Sequence, residues 1–247
     1  MNESIYNPSD IHQNLINNYK VQNINAEFDE EGIYFYQAYK QEIADYAIEN
    51  QKLGGPHWSS NRMTWIKPSF AWMLYRSGYA CKHNQTRILK IKISHQTFSE
   101  ILETCKLTLH SSKNSNTDNK CARLQWDPER DLLSKEPKKD EPRKLVRTRA
   151  VQIGLAGKVL QNFAENIIRI DDVTDLAKRV HKAHGYKNDK EVSAEMQKLK
   201  SILPIERSYF PVHNSAETLQ YLAILPGENA EMVSRLGRGS KVKIVDK

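Results

Sequence analysis

The sequence predicts an α+β protein with mixed, mainly antiparallel sheets and flanking helices. Apolar residues make up 39% and charged residues 27% of the 247 positions, which suits a chain with a buried core. Strand-like and helix-like segments alternate in the N-terminal part, and strand-like segments then cluster between long polar loops. The phosphate-binding patterns GxGxxG and GxxxxGK(S/T) are absent, which disfavours a doubly wound nucleotide fold.

Composition predicts one α+β domain over residues 28–225. Residues 1–27 are rich in Asn, Gln and Ser and are expected to form a flexible N-terminal arm. Residues 226–247 have no sustained apolar period and are expected to form a basic C-terminal tail. Two polar, turn-rich stretches near 111–120 and 134–144 are predicted to be exposed loops.

The first elements follow from local patterns. Residues 33–39 are aromatic and favour a strand, and residues 40–51 carry apolar side chains at helical spacing. The turn-forming residues 53–56 end that helix. Ser69 is placed to open the next helix and Gly78 to close it.

The later elements are predicted in the same way. Residues 86–93 alternate between apolar and basic side chains, as in a half-buried strand. Ser94 caps a helix whose apolar face includes Cys105. Further strands are expected at 107–110, 121–126 and 150–155, and amphipathic helices at 174–184 and 190–203.

Composition also limits the compartment and the partners. No apolar run is long enough for a membrane span and no secretory signal is evident, so we expect a soluble, intracellular protein, cytoplasmic or nuclear. Cys81, Cys105 and Cys121 form no CxxC pair and are interpreted as reduced, half-buried thiols. His181 and His184 lack a third ligand, so no metal is expected. A formal charge of +7 indicates attraction to phosphates. The oligomeric state is left open.

The stretch between residues 62 and 76 is the first candidate site. It places Arg62, Lys67 and Arg76 among aromatic residues that include Trp65. Cations beside aromatic faces suit a ligand with a phosphate and a flat ring, because the cation meets the phosphate while the aromatic side chain stacks on the base. The alternative is a core helix whose aromatic residues are buried and whose cations extend to solvent.

The second candidate site begins at Arg149, a further candidate phosphate ligand. On the following strand Gln152 lies between the small residues Ala150 and Gly154 on one face. This arrangement predicts open space around a polar amide, where a ligand or another backbone could approach. A solvated glutamine on an exposed strand face is the alternative.

The third candidate site spans residues 34–40, where Gln37 and Tyr39 share a strand face just before a helix. Strand ends that lead into helices often bind anions, because the helix N-terminus stabilises negative charge. An aromatic core strand is the alternative.

Five separated strings carry a family resemblance: YQAYKQEIADYA, RMTWIKPSFAWMLYRSG, LQWDP, RAVQIGLAG and IERSYFPV. Together they resemble the family catalogued as domain of unknown function 4291, over about residues 33–212. The order of the strings also resembles, more distantly, the three-part site of ADP-ribosyltransferases. That likeness implies NAD as the cofactor.

The same likeness implies roles for individual residues. Gln37 and Tyr39 would fill the first part of the site, Ser69 the second and Gln152 the third, with Tyr39, Ser69 and Gln152 as the catalytic set. The reaction would cleave a glycosidic bond through an oxocarbenium-like transition state, for which a carboxylate is the expected stabiliser. Gln152 can hydrogen-bond a ribose hydroxyl but carries no charge.

Two functions therefore stay open. The first is a protein that binds an NAD- or ADP-ribose-type nucleotide, either as an ADP-ribosyltransferase-like enzyme acting on a protein or nucleic-acid acceptor or as a binder without activity. The second is an RNA- or DNA-binding protein that uses a basic, aromatic-lined surface without catalysis. No membrane partner is expected. Salt dependence separates the two functions, because many phosphate contacts give a steep loss of affinity with salt.

Overall fold

The structure, a computed structural model, describes residues 22–108, 122–185, 189–211 and 213–225 and the backbone of 231–232. Its strands are β1 (Ile24–Ala26), β2 (Gly32–Tyr39), β3 (Thr64–Ile66), β4 (Arg87–Ser94), β5 (Cys105–Leu107), β6 (Ala122–Lys135), β7 (Pro142–Leu155), β8 (Ile167–Asp172), β9 (Arg207–Phe210) and β10 (Glu231–Met232). Its helices are α1 (Gln41–Asn50), α2 (Phe70–Ser77), α3 (His95–Glu103), α4 (Gly157–Glu165), α5 (Thr174–His184), α6 (Asp189–Leu199) and α7 (Ala216–Tyr221). The predicted α+β class is confirmed.

The strands form three sheets, in the orders β1-β9-β10, β2-β4-β8 and β3-β7-β6-β5. The pairs β5–β6 and β9–β10 are parallel and the other pairs are antiparallel, so the sheets are mixed but mainly antiparallel. A two-way backbone bridge between Tyr36 and Lys67 ties the second sheet to the third, with N–O distances of 2.7 and 3.3 Å. This bridge brings the end of β2 next to the segment that leads from β3 to α2.

Helix α2 begins and ends where the sequence predicts. The Ser69 Oγ accepts a hydrogen bond from the Trp72 amide at 3.3 Å, which caps the N-terminus. Gly78 has a φ of 57°, and its amide binds the carbonyl groups of Leu74 and Tyr75. Glycine adopts this left-handed conformation at little cost, so the helix stops there.

Helix α3 also begins at its predicted cap, because the Ser94 Oγ accepts from the Thr97 amide at 3.0 Å. Cys105, predicted on this helix, lies instead in β5, where it pairs in parallel with Ala122. It is buried and Cys81 is exposed, so neither is the half-buried thiol that was expected. Cys121 lies outside the described residues.

The domain boundaries differ from the prediction at two places. Residues 22–27 belong to the fold, because β1 pairs with β9 and fully buries Ile24 and Ala26. A strand of three residues is too short for its apolar pattern to be recognised in the sequence among polar neighbours. The loop expected at 134–144 is a shorter turn at 136–141, since β6 and β7 extend the hairpin on both sides.

The remaining boundary predictions concern residues 1–21, 111–120, 226–230 and 233–247, all outside the described part of the chain. The last predicted helix is shorter than expected, since α6 ends at Leu199. No helix in the described ranges has the length and apolar character needed to cross a bilayer.

Candidate functional site

A cleft of about 1010 Å³ opens between the end of β2, the β3–α2 segment and the β6–β7 hairpin. Most of the residues that the sequence singles out line it: Gln37, Tyr39, Arg62, Trp65, Lys67, Arg76 and Gln152. Ser69 and Arg149 are not among the lining residues. Segments that are far apart in sequence therefore meet in one place, because the Tyr36–Lys67 bridge joins their sheets.

The wall near β2 is held by a short hydrogen-bond chain. Gln37 is 2% exposed, and its Nε2 donates to the Thr64 Oγ1 at 3.0 Å. The Tyr39 hydroxyl donates to the Gln37 Oε1 at 2.9 Å. Burial raises the pKa of Tyr39, so its phenol stays protonated. The two side chains predicted for the first part of the site are thus fixed before any ligand arrives.

Lys67 is the most unusual group in the cleft. It is 4% exposed, its Nζ donates to the Trp65 carbonyl at 3.2 Å, and it lies 5.0 Å from the centre of the Trp72 ring. Burial, together with the positive charge of Arg76, lowers the pKa of Lys67 to about 7, although Asp127 acts in the opposite direction. Near neutral pH the amine is therefore divided between its charged and neutral forms.

Asp127 is a cleft residue that the sequence analysis missed. It is 3% exposed and lies in β6 opposite Ala150, whose small side chain leaves room for it. Gln125 is on the same face of β6, and its Oε1 accepts a 3.0 Å hydrogen bond from the Gln152 Nε2 on β7. The string LQWDP contained a signal for this residue, because an aspartate within a strand that is partly buried is costly unless its carboxylate has a partner or a function.

Of the open space predicted around Gln152, the part next to Gly154 is filled. A Cβ at Gly154 would lie 2.9 Å from the Met63 Sδ and 3.0 Å from the Trp65 Cζ2. The absent side chain thus admits another part of the protein, since β3 pairs Trp65 directly with Gly154. The glycine seats the indole of Trp65 against the sheet at the cleft wall.

Arg130 supplies a buried cation to the hairpin side of the cleft. It is 9% exposed, and its guanidinium carbon lies 3.4 Å from the centre of the Tyr75 ring. Its Nη1 donates to the Glu141 Oε1 at 3.3 Å and to the Pro142 carbonyl at 3.1 Å. Its Nε is buried and meets no acceptor among the described residues. A buried donor without an acceptor is uncommon in a folded protein and calls for an explanation.

Ser69 belongs to a different network, behind the start of α2. Its hydroxyl donates to the Glu129 Oε1 at 2.8 Å, and the nearby Glu206 accepts from the Phe70 amide at 2.6 Å. Burial raises the pKa of both carboxyl groups, and the Glu129 charge adds to the effect on Glu206. Ser69 therefore orders the helix start.

Arg149 lies in β7 opposite Pro128 and is half-buried. Burial lowers the pKa of its guanidinium.

The described part of the chain holds no group of three His, Cys, Asp or Glu side chains that could bind a metal ion.

The fold and the cleft define an α+β protein with a basic, aromatic-lined cavity between two sheets. The chain belongs to the family described as Domain of unknown function (DUF4291), whose model matches residues 23–209. This match supports the family indicated by the five sequence strings and covers every cleft residue named above. No curated protein matches the chain. The likeness to ADP-ribosyltransferases stays a hypothesis.

Proposed function

We propose that the cleft binds a nucleotide of the NAD or ADP-ribose type. The observation that carries this proposal is the meeting of cations and aromatic faces in one cavity of about 1010 Å³. Ligand sites of this kind are concave and hold a few placed polar groups among apolar and aromatic walls. A dinucleotide combines phosphates with flat rings, and the cleft offers a partner for each.

The phosphates are assigned to the cationic side chains. Arg62 and Arg76 are exposed at the cleft, and Arg130 carries a buried Nε that meets no acceptor among the described residues. Guanidinium groups bind phosphate oxygens in a forked geometry, which makes arginine well suited to this role.

The flat ring of the ligand is assigned to Trp65. Its indole is half-buried against Gly154 and keeps part of its surface open to the cleft. The Trp72 ring, in contrast, is buried and covered by the Lys67 ammonium. Stacking on an aromatic side chain contributes about 1–3 kcal/mol per base.

Glycosyl transfer at this site would need a carboxylate near the ribose. Gln152 offers none, but Asp127 lines the same cleft from the neighbouring strand. In an enzyme of this type Asp127 would stabilise the oxocarbenium-like state, while Gln152 would bind a ribose hydroxyl. The acceptor would be a protein or a nucleic acid.

The test is calorimetric titration of the full chain with NAD, ADP-ribose and ATP. We expect saturable binding that Trp65→Ala and Arg62→Ala each weaken at least severalfold, while the exposed Lys178→Ala on α5 leaves it unchanged. Mass spectrometry after incubation with NAD would then detect transfer of ADP-ribose. Absence of binding by all three nucleotides at millimolar concentration would contradict the proposal.

A second candidate function is binding of RNA or DNA. It is favoured by exposed cationic side chains in the turn and the second strand of the β6–β7 hairpin: Lys138, Lys139, Arg143, Lys144 and Arg147. Several phosphate contacts would make the logarithm of the affinity fall steeply with the logarithm of salt, with a slope of roughly −0.7 to −0.9 per contact. A nucleotide in the cleft would give a shallow slope. Replacing Lys138 and Lys139, which do not line the cleft, with glutamine would lower the affinity only for nucleic acid.

A further inference from the structure

The main chain at Lys67 is held in place by its neighbours. Its backbone is bridged in both directions to Tyr36, and Pro68 follows it, so the main chain has little freedom. The side chain is 4% exposed, yet it is part of the cleft lining. The two groups next to the Nζ, the Trp65 carbonyl and the Trp72 ring, also belong to residues that line the cleft.

The surroundings of this amine do not hold its proton firmly. Among the described residues no carboxylate oxygen lies within 4.0 Å of the Lys67 Nζ, and its hydrogen bond goes to a neutral carbonyl. Arg76 repels the charge, while Asp127 and the Trp72 ring favour it. With a pKa of about 7, a substantial fraction of Lys67 is neutral at pH 7. A lysine of ordinary pKa is neutral in roughly one molecule of 3,000 at that pH.

We infer that Lys67 is a nucleophile that forms an imine with the open-chain aldehyde of a phosphorylated sugar with a free reducing end. This inference rests on the proposed function in one respect, the use of the same cleft. ADP-ribose belongs to this class, because its terminal ribose opens to an aldehyde. NAD does not, because both of its ribose C1 atoms are held in glycosidic bonds.

The polar groups around the cleft match such a sugar. Arg130 and Arg76 line the cleft and are the groups that would bind its phosphate, and the Asp127 and Gln152 side chains, which also line the cleft, would accept hydrogen bonds from its hydroxyl groups. Lysine amines with lowered pKa are the groups that react with carbonyl carbons in this way. The cleft therefore combines recognition of the sugar phosphate with a reactive amine.

The step is a condensation without oxidation or reduction. The lone pair of the Lys67 Nζ forms a bond to C1, the carbonyl oxygen takes a proton, and a carbinolamine results. Loss of the C1 hydroxyl as water, with a proton that Asp127 can relay, leaves a C=N bond. One amine and one aldehyde thus give one imine and one water, and hydrolysis reverses the step.

The experiment traps the imine in the full chain. The protein is incubated at pH 7 with ribose 5-phosphate, ADP-ribose or NAD in the presence of sodium cyanoborohydride, and its peptides are analysed by mass spectrometry. We expect ribose 5-phosphate and ADP-ribose to label Lys67 about tenfold more than the average exposed lysine, with a pH midpoint near 7. Intact NAD should give no label, and any label that follows incubation with NAD should appear only as fast as NAD is hydrolysed to ADP-ribose.

Two variants serve as controls. Lys67→Arg keeps the charge but cannot form the imine, and it should remove the label. Lys178→Arg, on an exposed position of α5 outside the cleft, should leave the label at Lys67 unchanged. The assignment does not depend on the variant's folding, because the labelled peptide of the unmodified chain already identifies the lysine.

The outcomes separate this inference from the proposed function. If ADP-ribose and NAD bind while the label is absent or spread evenly over exposed lysines, the imine is refuted and the nucleotide site stands. If ribose 5-phosphate labels Lys67 while neither nucleotide binds, the nucleotide proposal fails and the imine stands. Absence of both binding and label refutes both.

Discussion

Two lysines of this protein are almost equally buried but behave in opposite ways. Lys67, in the cleft, is 4% exposed, and Lys92, on β4, is 6% exposed. The Lys92 Nζ lies 2.9 Å from the Asp29 Oδ1 and 2.5 Å from the Glu31 Oε2. Desolvation lowers the pKa of Lys92, but the hydrogen bonds that its Nζ donates to Glu31 and Asp29 outweigh this effect, so the pKa of Lys92 is raised. Lys67 has no such ion pair among the described residues, and its pKa falls to about 7.

The difference shows that burial alone does not decide what a charged side chain does. A buried ammonium with two carboxylate partners is held in its charged form and tethers the segment before β2 to β4. A buried ammonium that faces a cleft without that pairing can lose its proton and becomes available for chemistry. Most of the predictions below test the contrast between these lysines.

The largest effect is expected for the stability of Lys67→Met as a function of pH. The folded pKa of about 7 lies below the ordinary value of 10.5, so protonation opposes folding. This penalty is fully present below pH 7, shrinks as the pH rises and vanishes above 10.5. We expect Lys67→Met to raise the free energy of unfolding at pH 6 by on the order of 3 kcal/mol, and by little at pH 10.

Urea denaturation at the two pH values measures this effect, and Lys178→Met is the matched control on an exposed position. The control should show no gain at either pH. A loss of stability in Lys67→Met at pH 6 would mean that the ammonium is stabilised in the fold, and Lys67 would then be a structural cation like Lys92.

Lys92→Met should have the opposite sign. Because the folded pKa of Lys92 is raised, its stabilisation is present below the ordinary pKa of lysine and is lost as the pH rises through the folded value. Asp29 and Glu31 are 45% and 63% exposed, so solvent screening limits the loss. We expect a decrease of about 1–2 kcal/mol in the free energy of unfolding at pH 7. Lys92→Arg should recover part of it, and a neutral result would show that the pair contributes nothing.

The contrast between the lysines also shows what the sequence can predict. The strand at 86–93, the helix from Ser69 to Gly78 and the meeting of distant segments at one cleft follow from local periodicity, caps and motif order. The sequence also places Lys67 among aromatic residues. The sequence does not show that Lys67 lies without an ion pair among the described residues, because ion pairing depends on which carboxylates of other segments come near.

Other features of the site depend on tertiary contacts in the same way. Asp127 gains its place from the antiparallel pairing of β6 with β7, and Ser69 is turned toward Glu129 rather than the cleft. Gly154 predicts a close approach correctly, but the approaching group is Trp65. A single sequence shows that a small residue leaves space beside it, but it does not show which group fills that space.

Gln152 tests whether the cleft around Lys67 is a ligand site. Gln152→Ala removes one neutral hydrogen-bonding group and should lower nucleotide affinity by about 1 kcal/mol, close to fivefold. Gln152→Glu should raise hydrolysis of NAD if the site transfers ribose, and should weaken binding by repelling phosphates if it only binds. Titration calorimetry and an NAD hydrolysis assay distinguish these results, with the exposed Gln161→Ala on α4 as the control. Changes below about twofold in both Gln152 variants would favour the nucleic-acid function.

The smallest effect concerns the two charges that act on Lys67. Arg76 lowers the pKa of Lys67 and Asp127 raises it, so removing them should shift it in opposite directions. Arg76→Gln should raise the pKa of Lys67 and Asp127→Asn should lower it, and the effect of Arg76→Gln should be small because Arg76 is exposed and water screens its charge. The pH midpoint of imine trapping at Lys67 measures both shifts, and Arg179→Gln, an exposed arginine of α5, should leave it in place. If both variants moved the midpoint in the same direction, the shifts would come from altered burial, and the electrostatic account of Lys67 would have to be abandoned.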